Sequence, residues 1–175
     1  MANREVEILK QNGHDFLWMG GYLWMWDIPV ERQAQEQLAE RAYGKVLVAG
    51  YGLGVVQELL LKNPQVERVI TCELEPEVIK ANKSANRFLQ GEIVLADFLD
   101  FQTRELFDCV IGDIWKDITP EEEDVAMYEL FRDKALSLVK PGGKVLAWGM
   151  DYFEYLLERR PTPDQLDVLT KRNGD

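Results

Sequence analysis

The sequence predicts an α/β fold in which helices cover both faces of a doubly wound parallel sheet with the strand order 3-2-1-4-5. Five short apolar runs alternate with segments of helical periodicity along the chain. The first run leads into three glycines spaced GxGxG, and a helical pattern follows at once. This succession of strand, glycine turn and helix is typical of Rossmann-like folds, which bind a nucleotide at the carboxyl end of a strand.

The first predicted strand and its glycine turn occupy residues 45–54, KVLVAGYGLG. Gly50, Gly52 and Gly54 permit positive φ and carry no β-carbon, so backbone N–H groups at the helix start can approach a ligand. We therefore predict that these glycines, with Tyr51 between them, contact a cofactor. A tight turn without a ligand is the alternative interpretation of this string.

Acidic residues follow the second and third predicted strands. The runs RVITC and EIVLA are followed by Glu73 and Asp97, which should lie at the same edge of the sheet. A carboxylate at the end of the second strand can accept both hydroxyls of a ribose. We predict this role for Glu73 and expect Asp97 to accept the adenine amino group, with the adjacent Leu74 and Phe98 also contacting the cofactor.

The fourth predicted strand, FDCVIG, ends at Asp113, and the fifth, KVLAWG, follows the turn at residues 140–143, KPGG. Two short helices are predicted after it, with capping boxes at Asp151 and Thr162. No further strand is predicted, so the sheet is expected to have a shortened C-terminal end. Its open edge must be covered or paired. A homodimer is one hypothesis.

Residues 16–26, FLWMGGYLWMW, form the second unusual feature. Two apolar runs flank Gly20-Gly21, which predicts a two-residue β-hairpin. Both alternation phases are apolar, so both faces of the hairpin should be covered. We expect residues 1–28 to form a hairpin lid within a single domain spanning 1–175. Additional core or a dimer surface is the alternative.

Composition restricts the partners. The 175 residues carry a net charge of −11, which disfavours a nucleic-acid partner and suits a small cationic substrate. No long apolar run predicts a membrane span, so a cytoplasmic location is the default expectation. Cys72 and Cys109 fall on strands separated by the first strand, too far apart for a disulfide, and no ligand spacing predicts a metal. His14, the only histidine, is interpreted as a loop residue.

Five segments resemble the class I S-adenosylmethionine-dependent methyltransferases and the related spermidine synthases: VLVAGYGLG, VITCELEPEVIKANK, LADFLDF, FDCVIGDIW and LVKPGGKVLAWG. Their order and spacing fit over residues 16–150. The resemblance implies S-adenosyl-L-methionine as the cofactor. It also implies that Asp113 lies beside both the cofactor and the substrate.

The segment WDIP resembles the W-E-x-P segment of guanidinoacetate methyltransferase and related arginine methyltransferases. There an acid at this place, with the acid after the fourth strand, holds a guanidinium or amine. The resemblance implies that Asp27 and Asp113 are the catalytic and substrate-binding pair, with Asp113 accepting the proton and Asp27 orienting. Trp26 and Trp115 are expected to wall the site. Capping the following helix is the alternative role for Asp27.

Three functions remain open. Many methyltransferases carry an acid at the position of Val48, whereas spermidine synthases place an apolar residue there, and CELEPEV resembles their C-E-x-D-x-x-V segment. Their S-D-P is replaced by residues 114–116, IWK, and their Y-H-E stretch is absent. We favour a methyltransferase for a small cationic amine or guanidine. An aminopropyltransferase using decarboxylated S-adenosylmethionine and a non-catalytic cofactor-binding homologue are the alternatives.

Overall fold

The computed structural model describes residues 5–161, which form two sheets and five helices. In chain order the elements are β1 (Val6–Gln11), β2 (His14–Met19), β3 (Tyr22–Trp26), α1 (Pro29–Glu40), β4 (Gly44–Ala49), α2 (Val55–Lys62), β5 (Val66–Glu73), α3 (Pro76–Ser84), β6 (Glu92–Leu95), β7 (Phe107–Gly112), α4 (Glu122–Leu138), β8 (Val139–Ala147) and α5 (Met150–Glu158). The larger sheet is parallel, with the order β6-β5-β4-β7-β8. This confirms the predicted α/β class and the predicted order 3-2-1-4-5.

The central strand β4 is buried because both faces of the sheet are covered. Successive side chains of a strand point to opposite faces of the sheet, so alternate residues of β4 pack in two separate cores. Leu47 packs in the core that contains Phe131 of α4. Val46 and Val48 face the opposite core with Leu60 of α2. This burial fixes the register of β4 and therefore the position of the glycine turn that follows it.

Both cysteines are free and buried, as predicted. Cys72 lies on β5 and Cys109 on β7, with β4 between them. Burial raises the pKa of both thiols, and that of Cys72 reaches about 11. They are protonated core residues at neutral pH.

The N-terminal sheet has three antiparallel strands, one more than predicted. The expected hairpin is present: β2 and β3 meet at Gly20-Gly21, and both glycines have positive φ. β1 was not predicted; it pairs with β2 through a second tight turn at Asn12-Gly13. An irregularity in register at Leu17 and Trp18 interrupts the alternation that the sequence suggested.

Helix starts differ from the predicted caps. Ile28 is the N-cap of α1 and no side chain caps this helix, so Asp27 does not have the capping role. Gly149 precedes α5 with a φ of 71°, and Asp151 lies within the first turn. The second box, at Thr162, lies outside the described residues. α4 is the longest helix at 17 residues, and none in the part described is long and apolar enough to cross a membrane.

Candidate active site

A cavity of about 770 Å³ lies between the carboxyl ends of β4, β5 and β7 and the N-terminal sheet. This volume is within the range of about 300–1,000 Å³ that is usual for small-molecule sites. The N-terminal sheet forms its roof through the end of β2 and all of β3: Met19, Tyr22, Leu23, Trp24, Met25 and Trp26. Rossmann-like folds bind their ligands at this carboxyl edge of the parallel sheet.

The glycine turn lines one side of the cavity and leaves no room for side chains. A β-carbon on Gly52 would lie 2.5 Å from Sδ of Met25, and one on Gly50 would lie 3.1 Å from Cγ2 of Ile114. Both glycines have positive φ, and Gly54, with a φ of 69°, is the N-cap of α2. The backbone therefore forms the surface of the cavity here.

Several N–H groups of this turn already have partners within the protein. Tyr51 N donates to Oε2 of Glu73 at 2.8 Å, and Gly54 N donates to the carbonyl of Tyr51 at 2.8 Å. Leu53 N donates to Sδ of Met25 at 3.3 Å, which connects the turn to the roof. An anionic group of a ligand would have to compete for these donors.

Glu73 lies at the end of β5 with its carboxylate almost fully buried. It accepts hydrogen bonds from the backbone N–H groups of Tyr51 and Glu75, each at 2.8 Å. Burial raises the pKa of Glu73, and these hydrogen bonds oppose that rise. Each oxygen keeps another lone pair, so the carboxylate can accept ribose hydroxyls as well. The adjacent Leu74 also lines the cavity and is 59% exposed, an apolar surface available to a ligand.

Asp97 and Phe98 follow β6 and line the opposite part of the same cavity. Oδ1 of Asp97 accepts a hydrogen bond from Leu99 N at 2.9 Å, which orients the carboxylate. Phe98 is buried, and its ring lies 5.4 Å from that of Phe131. All of the predicted cofactor residues except Gly54 thus line a single cavity.

Asp113, after β7, forms an acidic pair with Glu31, which the sequence analysis missed. Nε2 of the buried Gln35 donates to Oδ2 of Asp113 at 3.0 Å and to Oε1 of Glu31 at 2.8 Å. Burial, and then the charge of Glu31, raise the pKa of Asp113 to about 7. Burial also raises the pKa of Glu31. Glu31 and Gln35 lie four residues apart on α1, a spacing that puts both on one face of the helix.

Asp27 is not part of this pair, because it does not line the cavity. Its Oδ1 accepts a hydrogen bond from Asp15 N at 3.2 Å. Its carboxylate also lies 3.6 Å from Nη1 of Arg87 and 3.6 Å from Nδ1 of His14. The structure therefore does not bring the predicted pair of Asp27 and Asp113 together, and Glu31 takes the place expected for Asp27.

The two predicted tryptophans both line the cavity but differ in exposure. Trp26 is 38% exposed and lies edge-on to Phe16, with ring centroids 6.3 Å apart. Trp115 is 3% exposed, and its buried Nε1 has no hydrogen-bond partner among residues 5–161. Its indole packs edge-on, at 5.4–5.6 Å, against three rings of the core: Tyr128, Phe131 and Phe153.

The lining carries many acidic side chains and little positive charge. The acids are Glu31, Glu73, Glu75, Asp97, Asp113 and Asp117. Lys116 is the only lysine or arginine in the lining that the structure describes, and its Nζ lies 4.3 Å from the centre of the Tyr22 ring. Within residues 5–161 no group of three or more histidine, cysteine, aspartate or glutamate side chains is placed to hold a metal. The electrostatics of the cavity favour a cationic ligand.

The fold and the cavity together define a Rossmann-like α/β protein with a cavity of small-molecule size at the carboxyl edge of its larger sheet. No known family model matches the chain. Its structural neighbours are spermidine synthase and class I S-adenosylmethionine-dependent methyltransferases, the superfamily whose motifs the sequence resembles.

The spermidine synthase of Thermotoga maritima superposes with a TM-score of 0.65 and 20% identity, over 91% of this chain and 60% of that one. A spermidine synthase in complex with the transition-state analogue AdoDATO gives a TM-score of 0.65 at 19% identity. The N-methyltransferase NodS of Bradyrhizobium japonicum WM9, in complex with S-adenosyl-L-homocysteine, gives 0.52 at 22% identity, over 75% of this chain and 76% of that one. The chain thus spans about 60% of the length of the synthases.

Proposed function

We propose that this chain is a transferase that moves an alkyl group from the sulfonium of an S-adenosylmethionine-type cofactor to a nitrogen of a small cationic amine or guanidine. The observation that carries the proposal is the pair of carboxylates, Glu31 and Asp113, which Gln35 joins inside the cavity. Such a pair can bind a cationic nitrogen through charge-assisted hydrogen bonds and accept a proton from it.

The residues at the carboxyl edge fit the cofactor. The turn is a cradle that a β-carbon at Gly50 or Gly52 would fill, so the backbone can contact a ligand closely. Glu73 offers acceptors to a ribose and Asp97 an acceptor to an adenine amino group. Leu74 supplies apolar surface beside them. A bound S-adenosylmethionine would supply an electrophilic carbon attached to a positive sulfur.

The protein's own contribution is to place the acceptor and remove its proton. An amine attacks only as the neutral base, so a carboxylate must take the ammonium proton. Asp113 suits this role because burial and Glu31 raise its pKa to about 7, which matches its proton affinity to neutral pH. Gln35 fixes Oδ2 of Asp113 by its hydrogen bond, and the roof residues exclude water from the attacking nitrogen.

Methyl transfer is the first candidate. Residues 114–116 replace the S-D-P of the synthases, and among them Lys116 offers a cation that can receive the carboxylate of the methionine part.

Aminopropyl transfer from the decarboxylated cofactor is the second candidate, and two observations favour it. Six acids against one lysine in the lining suit a ligand that lacks a carboxylate and therefore has a higher net positive charge. The N–H groups of Tyr51, Leu53 and Gly54 are also occupied, so the turn offers few donors to a carboxylate. The greater similarity of the fold to the synthases agrees with this candidate.

Calorimetry on the purified protein separates these candidates. S-adenosylmethionine, S-adenosylhomocysteine and decarboxylated S-adenosylmethionine are titrated side by side, followed by a turnover assay with small amines and guanidines. Tighter binding of the first two supports methyl transfer, and tighter binding of the third supports aminopropyl transfer. Binding without turnover of any acceptor supports the non-catalytic homologue. If none of the three ligands binds, the proposal is wrong.

A further inference from the structure

The two carboxylates of the acidic pair share a single donor atom. Nε2 of Gln35 gives one N–H to Oε1 of Glu31 and the other to Oδ2 of Asp113. Gln35 is 1% exposed, so water does not replace this amide. The amide nitrogen is neutral and compensates neither negative charge. The geometry therefore holds two half-buried acidic groups next to the same amide in the wall of the cavity.

No cation within the described residues balances the pair. Neither carboxylate lies within 4.0 Å of a lysine, arginine or histidine nitrogen there. Arg32, the neighbour of Glu31 on α1, pairs instead with Glu58 at 3.1 Å. Lys116 on the Asp113 loop lies over the Tyr22 ring of the roof.

Apart from Lys116, the other charged groups that line the cavity add to the negative charge. They are Glu73 and Glu75 after β5, Asp97 after β6, and Asp117 after β7. Two neighbouring carboxylates in such surroundings do not both ionise readily, and a shared proton is the usual result. Burial raises the pKa of both groups, and the charge of Glu31 raises that of Asp113 further.

We propose that Glu31 and Asp113 hold one proton between them before substrate binds, and that a cationic nitrogen replaces this proton on binding. The carboxyl O–H bond breaks, the proton passes to bulk water, and the ammonium or guanidinium takes its place between the two carboxylates. Glu31 is then a specificity-determining residue and Gln35 a positioning residue. This inference rests on the proposed function, because the cation is taken to be the acceptor substrate.

The shared proton can be measured without any ligand. Side-chain carboxyl ¹³C shifts are followed from pH 4 to pH 9 in the wild-type protein and in the variants Glu31→Gln and Asp113→Asn. One carboxyl of the pair is expected to titrate near pH 7, and Glu31→Gln should shift the titration of Asp113 to lower pH. Glu36→Gln, an exposed carboxyl on the same helix, is the matched control and should leave it unchanged. If both carboxyls are ionised at pH 5, the inference is overturned.

The exchange is measured by calorimetry with butylammonium chloride at pH 6, in two buffers that differ in ionisation enthalpy. The wild-type protein should release about one proton for each butylammonium bound, and its affinity should fall about tenfold per pH unit below the titration. The Glu31→Gln variant should release no proton when butylammonium binds, whereas the Glu36→Gln variant should release about one proton, as the wild-type protein does. Binding of butylammonium without proton release, or no binding at all, contradicts the exchange.

The two proposals fail separately. If the pair shares a proton and releases it to butylammonium, but no adenosine ligand binds, the proposed transferase function fails and the exchange site stands. If an adenosine ligand binds and amines are alkylated, but amine binding before alkyl transfer releases no proton, the function stands and the exchange is wrong.

Discussion

Replacement of Asp113 by Asn should stabilise the protein, and increasingly so as the pH rises. The pKa of Asp113 is raised from 3.8 to about 7, so the folded state binds its proton more tightly than the unfolded chain does. The stability that this group contributes is complete below about pH 4 and is lost as the pH rises through 7. Asn has the same shape, stays neutral at every pH, and can still accept the hydrogen bond from Gln35.

The size of the effect follows from the shift. About three pH units at about 1.4 kcal/mol each give about 4 kcal/mol. Asp113 is partly accessible from the cavity, and part of its pKa shift comes from the charge of Glu31. We therefore expect the free energy of unfolding of Asp113→Asn to exceed that of the wild-type protein by about 2–4 kcal/mol at pH 8. Below pH 4 the wild-type and variant proteins should have nearly equal free energies of unfolding.

Urea denaturation from pH 4 to pH 8, followed by tryptophan fluorescence, measures this difference. Asp100→Asn, at an exposed position outside the cavity, is the control for a change of net charge. Glu31→Gln should reduce the pH dependence of the wild-type protein, because the charge of Glu31 is the second cause of the shift. A difference between Asp113→Asn and wild type that is constant from pH 4 to pH 8 would refute the argument.

Three further predictions concern the cofactor edge and the roof. Glu73→Ala should weaken binding of S-adenosylhomocysteine by about 1.5–3 kcal/mol in calorimetry, because hydrogen bonds to a charged group are lost; unchanged affinity would exclude the ribose contact. Gly52→Ala should lower the free energy of unfolding by about 1–3 kcal/mol, since its β-carbon would meet Sδ of Met25 at a φ of 55°, and adding Met25→Ala should recover only part of the loss in urea denaturation. Arg87→Met should cost about 1.5–3 kcal/mol, because the buried Asp15 loses this partner while it keeps Lys10 at 3.1 Å, and hydrogen exchange should accelerate in β2 and β3; unchanged exchange there would contradict the coupling.

The parallel sheet and the glycines and acids at its carboxyl edge were predictable because local patterns determine them. Apolar runs with turn residues between them define the strands, and the glycines occupy the positions where positive φ and close packing require them. Glu73, Asp97 and Asp113 could be placed together because carboxyl ends of parallel strands meet at one edge. No long-range contact had to be known for these residues.

The acidic pair of Glu31 and Asp113 was not predictable in full, because it depends on contacts between distant parts of the chain. Asp27 is held away from the cavity by Arg87, which follows α3 and has no motif that indicates this contact. Glu31 enters the cavity only because α1 starts after Ile28 and packs with its Glu31–Gln35 face toward β7. The four-residue spacing of an acid and an amide was the available signal, but it is common on exposed helices.

The strand β1 was missed for a different reason. Its sequence, VEILKQ, has three exposed residues at its end, so little apolar alternation marks it as a strand. It forms because β2 offers a complete antiparallel partner, from Val6 opposite Met19 to Gln11 opposite His14. Pairing of this kind depends on the partner strand more than on intrinsic preference.

The two sheets have different consequences for the order of folding. The N-terminal sheet consists of three strands that are neighbours in the chain and are joined by two tight turns. In the larger sheet β4 must pair with β7, which comes after β5, α3 and β6. Pairing of distant segments is slow, so formation of β4–β7 should limit the rate. Leu17 of the N-terminal sheet packs with Tyr51 and Leu53. The β1–β2 and β2–β3 hairpins can therefore form early, but they gain their full stability only when the glycine turn has formed.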